Sequence, residues 1–311
     1  MNGSDTASLG PKYRIGRIEA RRIVEWNAHL FTRDQVFPDS SRQEWLAQRS
    51  WLEPRFWNAE NDAVTLTIQS FLLESDGKLV LVDTGIGNGK KRPTAPPFEN
   101  LSTSFLERLR EAGAAPEDID TVVLTHLHSD HVGWNTWLDG EVWVPTFPNA
   151  RYLISQAEFD YWNPDGSRAA GNPDADQALV FADSIAPILA SNQVELWTGS
   201  FSIAAGLDLE QVPGHTPGSA VLEVHSEQDS AVFVGDLLST PMMLSQPDLC
   251  AKYGDHWIDD DPDRVRVARR DLLTRAAHAR TRVVPAHVNA DAGVFVSPAS
   301  RGFAASDGMA A

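Results

Sequence analysis

With 311 residues, 42% of them hydrophobic and 22% charged, the chain can bury a sizeable core and has the composition of a soluble globular protein. Its 26 basic and 43 acidic residues leave a net charge of −17, a field that repels phosphate backbones and anionic membranes and so argues against nucleic-acid or membrane partners. Cys250 is the single cysteine, which excludes an intrachain disulfide, and no run of about 18 apolar residues is present to span a bilayer.

The stretch Met1 to Pro11 is polar and rich in Gly and Ser, with no basic segment leading into an apolar one. Residues 1–12 are therefore expected to be a flexible N-terminus, and a cytoplasmic location is expected. Residues 13–311 are expected to form one domain. Tyr13 to Trp26 alternates as a strand does, with its basic side chains outward. Asn27 to Asn61 is irregular and aromatic (Phe31, Phe37, Trp45, Trp51, Phe56, Trp57), and reads as an insertion that either packs as a satellite cluster or overhangs a pocket. Within it, Ser41 can cap a short helix to about Arg49, because Glu44 stands three residues on. Val64 to Glu74 and Lys78 to Asp83 read as a hairpin turning at Asp76-Gly77. Gly85, Gly87 and Gly89 suggest a phosphate loop only superficially. No Gly-x-Gly-x-x-Gly or Gly-Lys-Ser/Thr occurs, and Pro93, Pro96 and Pro97 stand where the helix would have to begin, so a flexible loop is expected. Leu101 to Ala112 has the apolar stripe of an amphipathic helix and stops at Gly113.

The next stretch carries the chemistry. Val122 to Thr125 reads as a buried strand, and four metal-capable side chains follow within six positions: His126, His128, Asp130 and His131. A strand running into a ligand loop holds the backbone rigid while the loop aims side chains. His126 and His128, two apart, project to one side in extended chain, and Asp130 and His131 can turn toward a second centre. Trp134 and Trp137 are expected on a short helix just beyond. Tyr152 to Ser155 reads as a strand, Gln156 to Trp162 as a helix, Asn163 to Asn172 as a loop, and Ala175 to Leu189 as a helix weakened by Pro187.

The second half repeats this order. Val194 to Trp197 and Leu207 to Val212 are expected as strands, Ala220 to His225 and Ala231 to Gly235 as a hairpin, Pro262 to Ala279 as a long Arg-rich helix, and Arg282 to Pro285 as a strand. Strands first and helices afterwards in each half suggest two β-sheets packed together with helices on both outer faces. Three more metal-capable residues, His215, Asp236 and His287, stand at strand ends. His29, His225, His256 and His278 belong to no motif and read as surface or satisfied side chains.

Taken in order, Asp83-Thr84-Gly85, His126-x-His128-x-Asp130-His131, Gly214-His215-Thr216-Pro217-Gly218, Gly235-Asp236 and His287 resemble the metallo-β-lactamase superfamily over about Val64 to Ala292. The resemblance implies a four-layer αββα fold of the α/β (α+β) class. It also implies a dinuclear centre: His126, His128 and His215 on one metal, Asp130, His131 and His287 on the other, and Asp236 bridging. Two zinc ions are the expected cofactor, with iron, manganese or cobalt also compatible with imidazole and carboxylate ligands. Asp83 is expected to support the ligand loops. Two cations sharing a water lower its pKa toward about 7, and Asp130 is expected to orient that water and pass a proton to the leaving group. No Gly-x-Ser-x-Gly elbow supports a nucleophilic serine.

Within the superfamily the pattern looks most like the lactonase and methyl-parathion-hydrolase branch, which implies hydrolysis of a small, apolar, uncharged ester, lactone or related electrophile. Acyl-homoserine lactonases often carry a Tyr three residues after the bridging Asp, where this chain has Ser239, and many relatives carry a His where it has Ser219. Alternatives on the same ligands are an iron-dependent oxidoreductase and the hydrolysis of organophosphates, β-lactams or aryl halides. Trp134, Ser239 and Met243, close to ligands in sequence, are the expected substrate-binding residues, and a homodimer is compatible with the sequence.

Overall fold

The computed structural model describes residues 9–165, 175–253 and 256–306. They form two compact units, neither continuous in sequence. One holds Asn27–Thr67 and the chain from Ser202 onward, and the other holds residues up to Trp26 together with Ile68–Phe201. The strands Leu9–Ile15, Ile18–Thr32, Ala63–Ser75, Lys78–Val82, Thr121–Val123, Arg151–Ser155 and Val194–Trp197 follow one another in a mixed sheet, and Trp57–Asn58 adds to the side of Ala63–Ser75. From Lys78–Val82 to Val194–Trp197 the pairings are parallel. Thr121–Val123 lies among them, buried on both faces, as its run of β-branched residues requires. A second sheet runs Ser200–Ala204, Leu207–Gln211, Ala220–Ser226, Asp229–Phe233 and Arg282–Val284; Ala220–Ser226 pairs antiparallel with both neighbours, and the last pair is parallel.

Local signals account for most elements. Ser41 caps the helix Arg42–Ala47 in a full capping box with Glu44. Asp76 and Gly77, at φ 49° and 74°, make the tight turn between Ala63–Ser75 and Lys78–Val82. Gln156–Trp162 and Pro262–Ala279 are helical over the expected spans. Ala175–Ala190 is helical, with a π turn at Phe181–Ile185 ahead of Pro187. None of the helices among the described residues is long and apolar enough to cross a membrane.

Several expectations are corrected. The N-terminal strand is a hairpin turning at Gly16: Leu9–Ile15 pairs with Ile18–Thr32, so residues 9–12 are sheet rather than a flexible tail, while Met1 to Ser8 lie outside the described residues. The loop from Asn163 falls partly outside them, at 166–174. Of the two readings of the aromatic segment 27–61, packing or overhanging a pocket, the structure shows packing, in the main core of its unit rather than in a satellite cluster: Phe37, Trp45, Leu52, Phe56 and Trp57 share a core with Met242, Met243, Val232 and Leu273. Trp45 packs at a tilt of 56° against Trp57, ring centroids 5.7 Å apart, and donates its N–H to Ser40 Oγ at 2.9 Å. After the ligand loop the chain forms a 3-10 turn, Gly133–Asn135, and then the strand Thr136–Asp139, not a helix.

Candidate functional site

The ligand-rich loop starts where Thr121–Val123 ends. Asp83, at the end of Lys78–Val82, reaches across to it from a left-handed backbone, φ 55°. Its Oδ1 accepts the Thr125 N–H at 2.8 Å, and its Oδ2 accepts the Thr125 hydroxyl at 2.8 Å and His131 Nδ1 at 2.8 Å. The Thr125 hydroxyl has given its proton to Asp83, so it acts as acceptor to His126 Nδ1, 3.2 Å away. His126 Nε2 then faces His128 Nδ1 at 3.0 Å, close to the ~3.3 Å that separates two nitrogens on one tetrahedral zinc. The peptide between them is held on both sides: Leu127 N–H donates to Glu158 Oε1 at 2.9 Å and its carbonyl accepts from Gln177 Nε2 at 2.8 Å. Glu158 Oε1 also takes the Trp162 N–H, and the Trp162 ring stands edge-on to His128 with centroids 5.5 Å apart. Asp130 Oδ1 lies 3.9 Å from His131 Nε2, and Asp130 is the more exposed of the two.

The other unit arranges its three residues in the same manner. Gly214 opens the turn before His215, and a Cβ there would stand 2.8 Å from Val265 Cγ2, so only glycine lets the turn close on the helix Pro262–Ala279. That approach brings His215 Nδ1 to 2.8 Å from Asp259 Oδ1, with Asp259 buried. His215 Nε2 lies 3.4 Å from Asp236 Oδ2. Asp236 sits on the 3-10 turn Gly235–Leu237, which receives the Ala286 N–H at Gly235 O. His287 Nε2 lies 3.0 Å from Asp236 Oδ1, and its Nδ1 is held by the Thr67 carbonyl at 2.9 Å.

This pattern tests the fit of a metal. His126, His131, His215 and His287 each have Nδ1 held by a fixed oxygen: Thr125 Oγ1, Asp83, Asp259 and Thr67 O. A ring that donates Nδ1–H keeps its lone pair on Nε2, where it can face a divalent ion, and such outer partners are what orient metal-binding histidines. The residues fit zinc or a similar borderline cation. Sequence reading named the seven candidate ligands and Asp83 but not Thr125, Glu158, Asp259 or the Thr67 carbonyl. Asp259 stands in the run Asp259-Asp260-Asp261, whose visible signal is helix capping, and Asp261 does cap, accepting the Arg264 N–H at 3.0 Å.

Two of the three expected substrate-binding residues are buried. Trp134 is 4% exposed, stacks on Phe105 at 5.6 Å and gives its N–H to Glu25 Oε1 at 2.7 Å. Met243 is buried in the core that contains the aromatic segment, and its Sδ faces the Ser239 N–H at 3.4 Å. Burial claims Trp134 and Met243 for packing, while Ser239 is half-buried. Of the histidines outside the motifs, His29, His225 and His278 are exposed, and the His256 side chain lies outside the described residues.

Comparison with known proteins adds independent findings. The family model described as the metallo-beta-lactamase superfamily matches residues 64–287. An N-acyl homoserine lactonase AiiB of Agrobacterium fabrum is 31% identical over 124 residues, 37% of this chain and 42% of that protein. An N-acyl homoserine lactonase of a Bacillus species is 24% identical over 185 residues, 56% and 64% of the two chains. The matches thus span less than two thirds of these relatives' length. Among solved structures, AidC, a dizinc quorum-quenching lactonase in complex with a product, superposes with a TM-score of 0.76 at 22% identity, covering 97% of this chain and 98% of its own. The hydrolase AbOPH of the beta-lactamase superfamily gives 0.77 at 25% identity, covering 96% and 97%.

Proposed function

Because the chain belongs to the metallo-beta-lactamase superfamily, we propose that it is a dinuclear metallo-hydrolase of small, neutral esters or lactones. His126, His128 and His215 would hold one ion, Asp130, His131 and His287 the other, and Asp236 both. The observation that carries this reading is an orientation: four histidines each have Nδ1 against a fixed oxygen and Nε2 beside another candidate ligand. Lactonases among the relatives support the ester or lactone bond as substrate, and the net charge of −17 disfavours anionic substrates.

When bound, zinc supplies a water of lowered pKa and an electrophile for the substrate carbonyl oxygen. The chain's own part is positional and acid–base. Asp83 and Asp259 hold His131 and His215 and raise the basicity of their Nε2 atoms. Asp130, partly exposed beside His131, accepts the proton of the attacking water and returns it to the leaving alkoxide. Elemental analysis of protein purified without chelator, paired with a hydrolysis panel, tests the proposal. Two zinc per chain and fastest turnover, by kcat/KM, on a neutral lactone or aryl ester are expected. Full activity with one metal would remove the dinuclear assignment, and a phosphodiester or a glutathione thioester ranking first would remove the substrate class.

A further inference from the structure

Glu25 lies outside the segment that matches the family model, on the strand Ile18–Thr32, and is fully buried. Its carboxylate gathers donors from three separate stretches. Oε2 accepts the Ile86 N–H at 2.6 Å, and Oε1 accepts the Gly87 N–H at 3.2 Å, the Thr103 hydroxyl at 3.1 Å and the Trp134 indole N–H at 2.7 Å. Burial of a carboxylate is costly unless its lone pairs are engaged, and here four neutral donors engage them. Burial raises the Glu25 pKa from its ordinary value, and the donors from Ile86, Trp134, Thr103 and Gly87 oppose that shift.

These donors flank the ligand loop. The segment Thr84–Gly87 is zipped onto His131–Trp134: Thr84 N–H donates to His131 O at 2.7 Å, Gly133 N–H to Gly85 O at 2.7 Å, and Trp134 N–H to Thr84 O at 2.9 Å. At the near end of the zipper stands the Asp83–His131 bond; at the far end the Glu25 carboxylate takes Ile86 and Gly87 from one side and Trp134 from the other. The contact is too close for side chains. A Cβ on Gly133 would fall 1.7 Å from Ile86 O, and one on Gly85 would fall 2.0 Å from Glu25 Oε2. Glu25 therefore sits where it can set the register of the two segments that present Asp83 and His131, without touching either.

We propose that Glu25 is a positioning residue that clamps this zipper and thereby places His131 for metal binding at the centre assigned to Asp130, His131 and His287. The proposal rests on the dinuclear reading for its metal consequence, but its effect on His131 can be measured without metal. In Glu25→Gln the amide can retain the three Oε1 donors only by turning its own NH2 toward the Ile86 N–H, so the clamp is lost on one side while size is kept.

The test is made on metal-free and metal-loaded full-length protein whose fold is verified by circular dichroism, with Glu25→Asp as second variant should Glu25→Gln fail to fold. In metal-free protein, the His131 Nδ1–H proton, assigned by its absence in His131→Asn, should exchange with solvent at least about 10-fold faster in the variant, while the His126 Nδ1–H proton is unchanged. On zinc titration against a chelator, one equivalent should bind as in wild type and the other about 10- to 100-fold more weakly. Unchanged His131 exchange in a folded variant overturns the proposal. So does parallel weakening of both zinc equivalents alongside a lowered Tm, which would make Glu25 a general stabiliser. If wild-type protein itself takes one zinc, the dinuclear reading falls, and the His131 proton still decides the role of Glu25.

Discussion

Single side chains in this protein divide into those that would touch metal and those that aim them, and the two kinds predict different losses. Asp130, proposed to carry a proton, should when changed to Asn lose about 10²-fold or more in kcat/KM with the circular dichroism spectrum intact. Near-normal turnover would remove it from the mechanism. Asp259 accepts from His215 Nδ1 at 2.8 Å and also lies beside the Cys250 thiol, which is not among the proposed ligands. Asp259→Asn should therefore weaken one metal equivalent about 10- to 100-fold by chelator competition, and saturating zinc should restore most of the activity. An unrecoverable loss would mean that Asp259 acts on the reaction itself. The clusters also explain what sequence alone could reveal. The proposed ligands stand in short motifs because neighbouring residues share one loop, whereas their outer partners come from any element that happens to pack there.

At the scale of elements, the loop after Lys78–Val82 is the clearest departure from expectation. Three glycines and three prolines read as a flexible loop, yet Gly85 and Gly87 are buried between Glu25 and Gly133. Gly133→Ala is expected to abolish metal-dependent activity and lower Tm, since no flexible side chain is available to yield to the added methyl: the nearest atoms are the Ile86 carbonyl and the Gly87 N. Beyond this loop Lys90 is buried, its ammonium over the Trp143 ring at 3.6 Å and bonded to Thr136 Oγ1 at 2.6 Å and the Asp183 carbonyl at 2.9 Å. Asp183, on the π turn Phe181–Ile185, also pairs bidentately with buried Arg92 at 2.8 and 3.0 Å. Its Oδ1 also lies 3.5 Å from Lys90 Nζ, so one carboxylate faces two cations. Desolvation pushes the Lys90 pKa down to about 7, partly opposed by Asp183. Between about 7 and the ordinary 10.5 the unfolded chain binds the proton that the folded chain has released, so this group's contribution to stability rises with pH through that window. The Tm of wild type minus that of Lys90→Met should increase from pH 7 to pH 9 in thermal melts, and a flat difference would show that Lys90 stays charged in the fold.

For the whole molecule, charge and metal dominate. The excess of 43 acidic over 26 basic residues should penalise anionic substrates at long range. Raising ionic strength from about 10 to 200 mM, which shortens the screening length from about 30 Å to under 10 Å, is expected to raise kcat/KM for an anionic ester while leaving a neutral lactone unchanged. Equal responses would show that the field does not reach the reacting centre. Because metal is proposed to bind the folded chain and not the unfolded one, a chelator should lower Tm, and added zinc should restore it in proportion to the logarithm of free metal.

What the sequence determined by itself was whatever depends on residues a few positions apart. Ser41 with Glu44 marked a capping box, Asp76-Gly77 a tight turn, and the apolar spacing of Gln156–Trp162 and Pro262–Ala279 two helices, since capping, turn conformation and periodicity are local. The seven proposed ligands were legible for the same reason, each standing in a short motif at or near a strand end. Tertiary structure alone decided which distant groups would serve them. Thr67 O meets His287, Asp259 meets His215, and Glu25 meets Ile86 and Trp134, across 220, 44, 61 and 109 residues respectively. It also decided that Trp134 and Met243, beside the ligands in sequence, face the core. A buried polar group must find a partner and a large apolar group must find cover, but neither requirement says from which part of the chain it will come; only the packed fold supplies that answer.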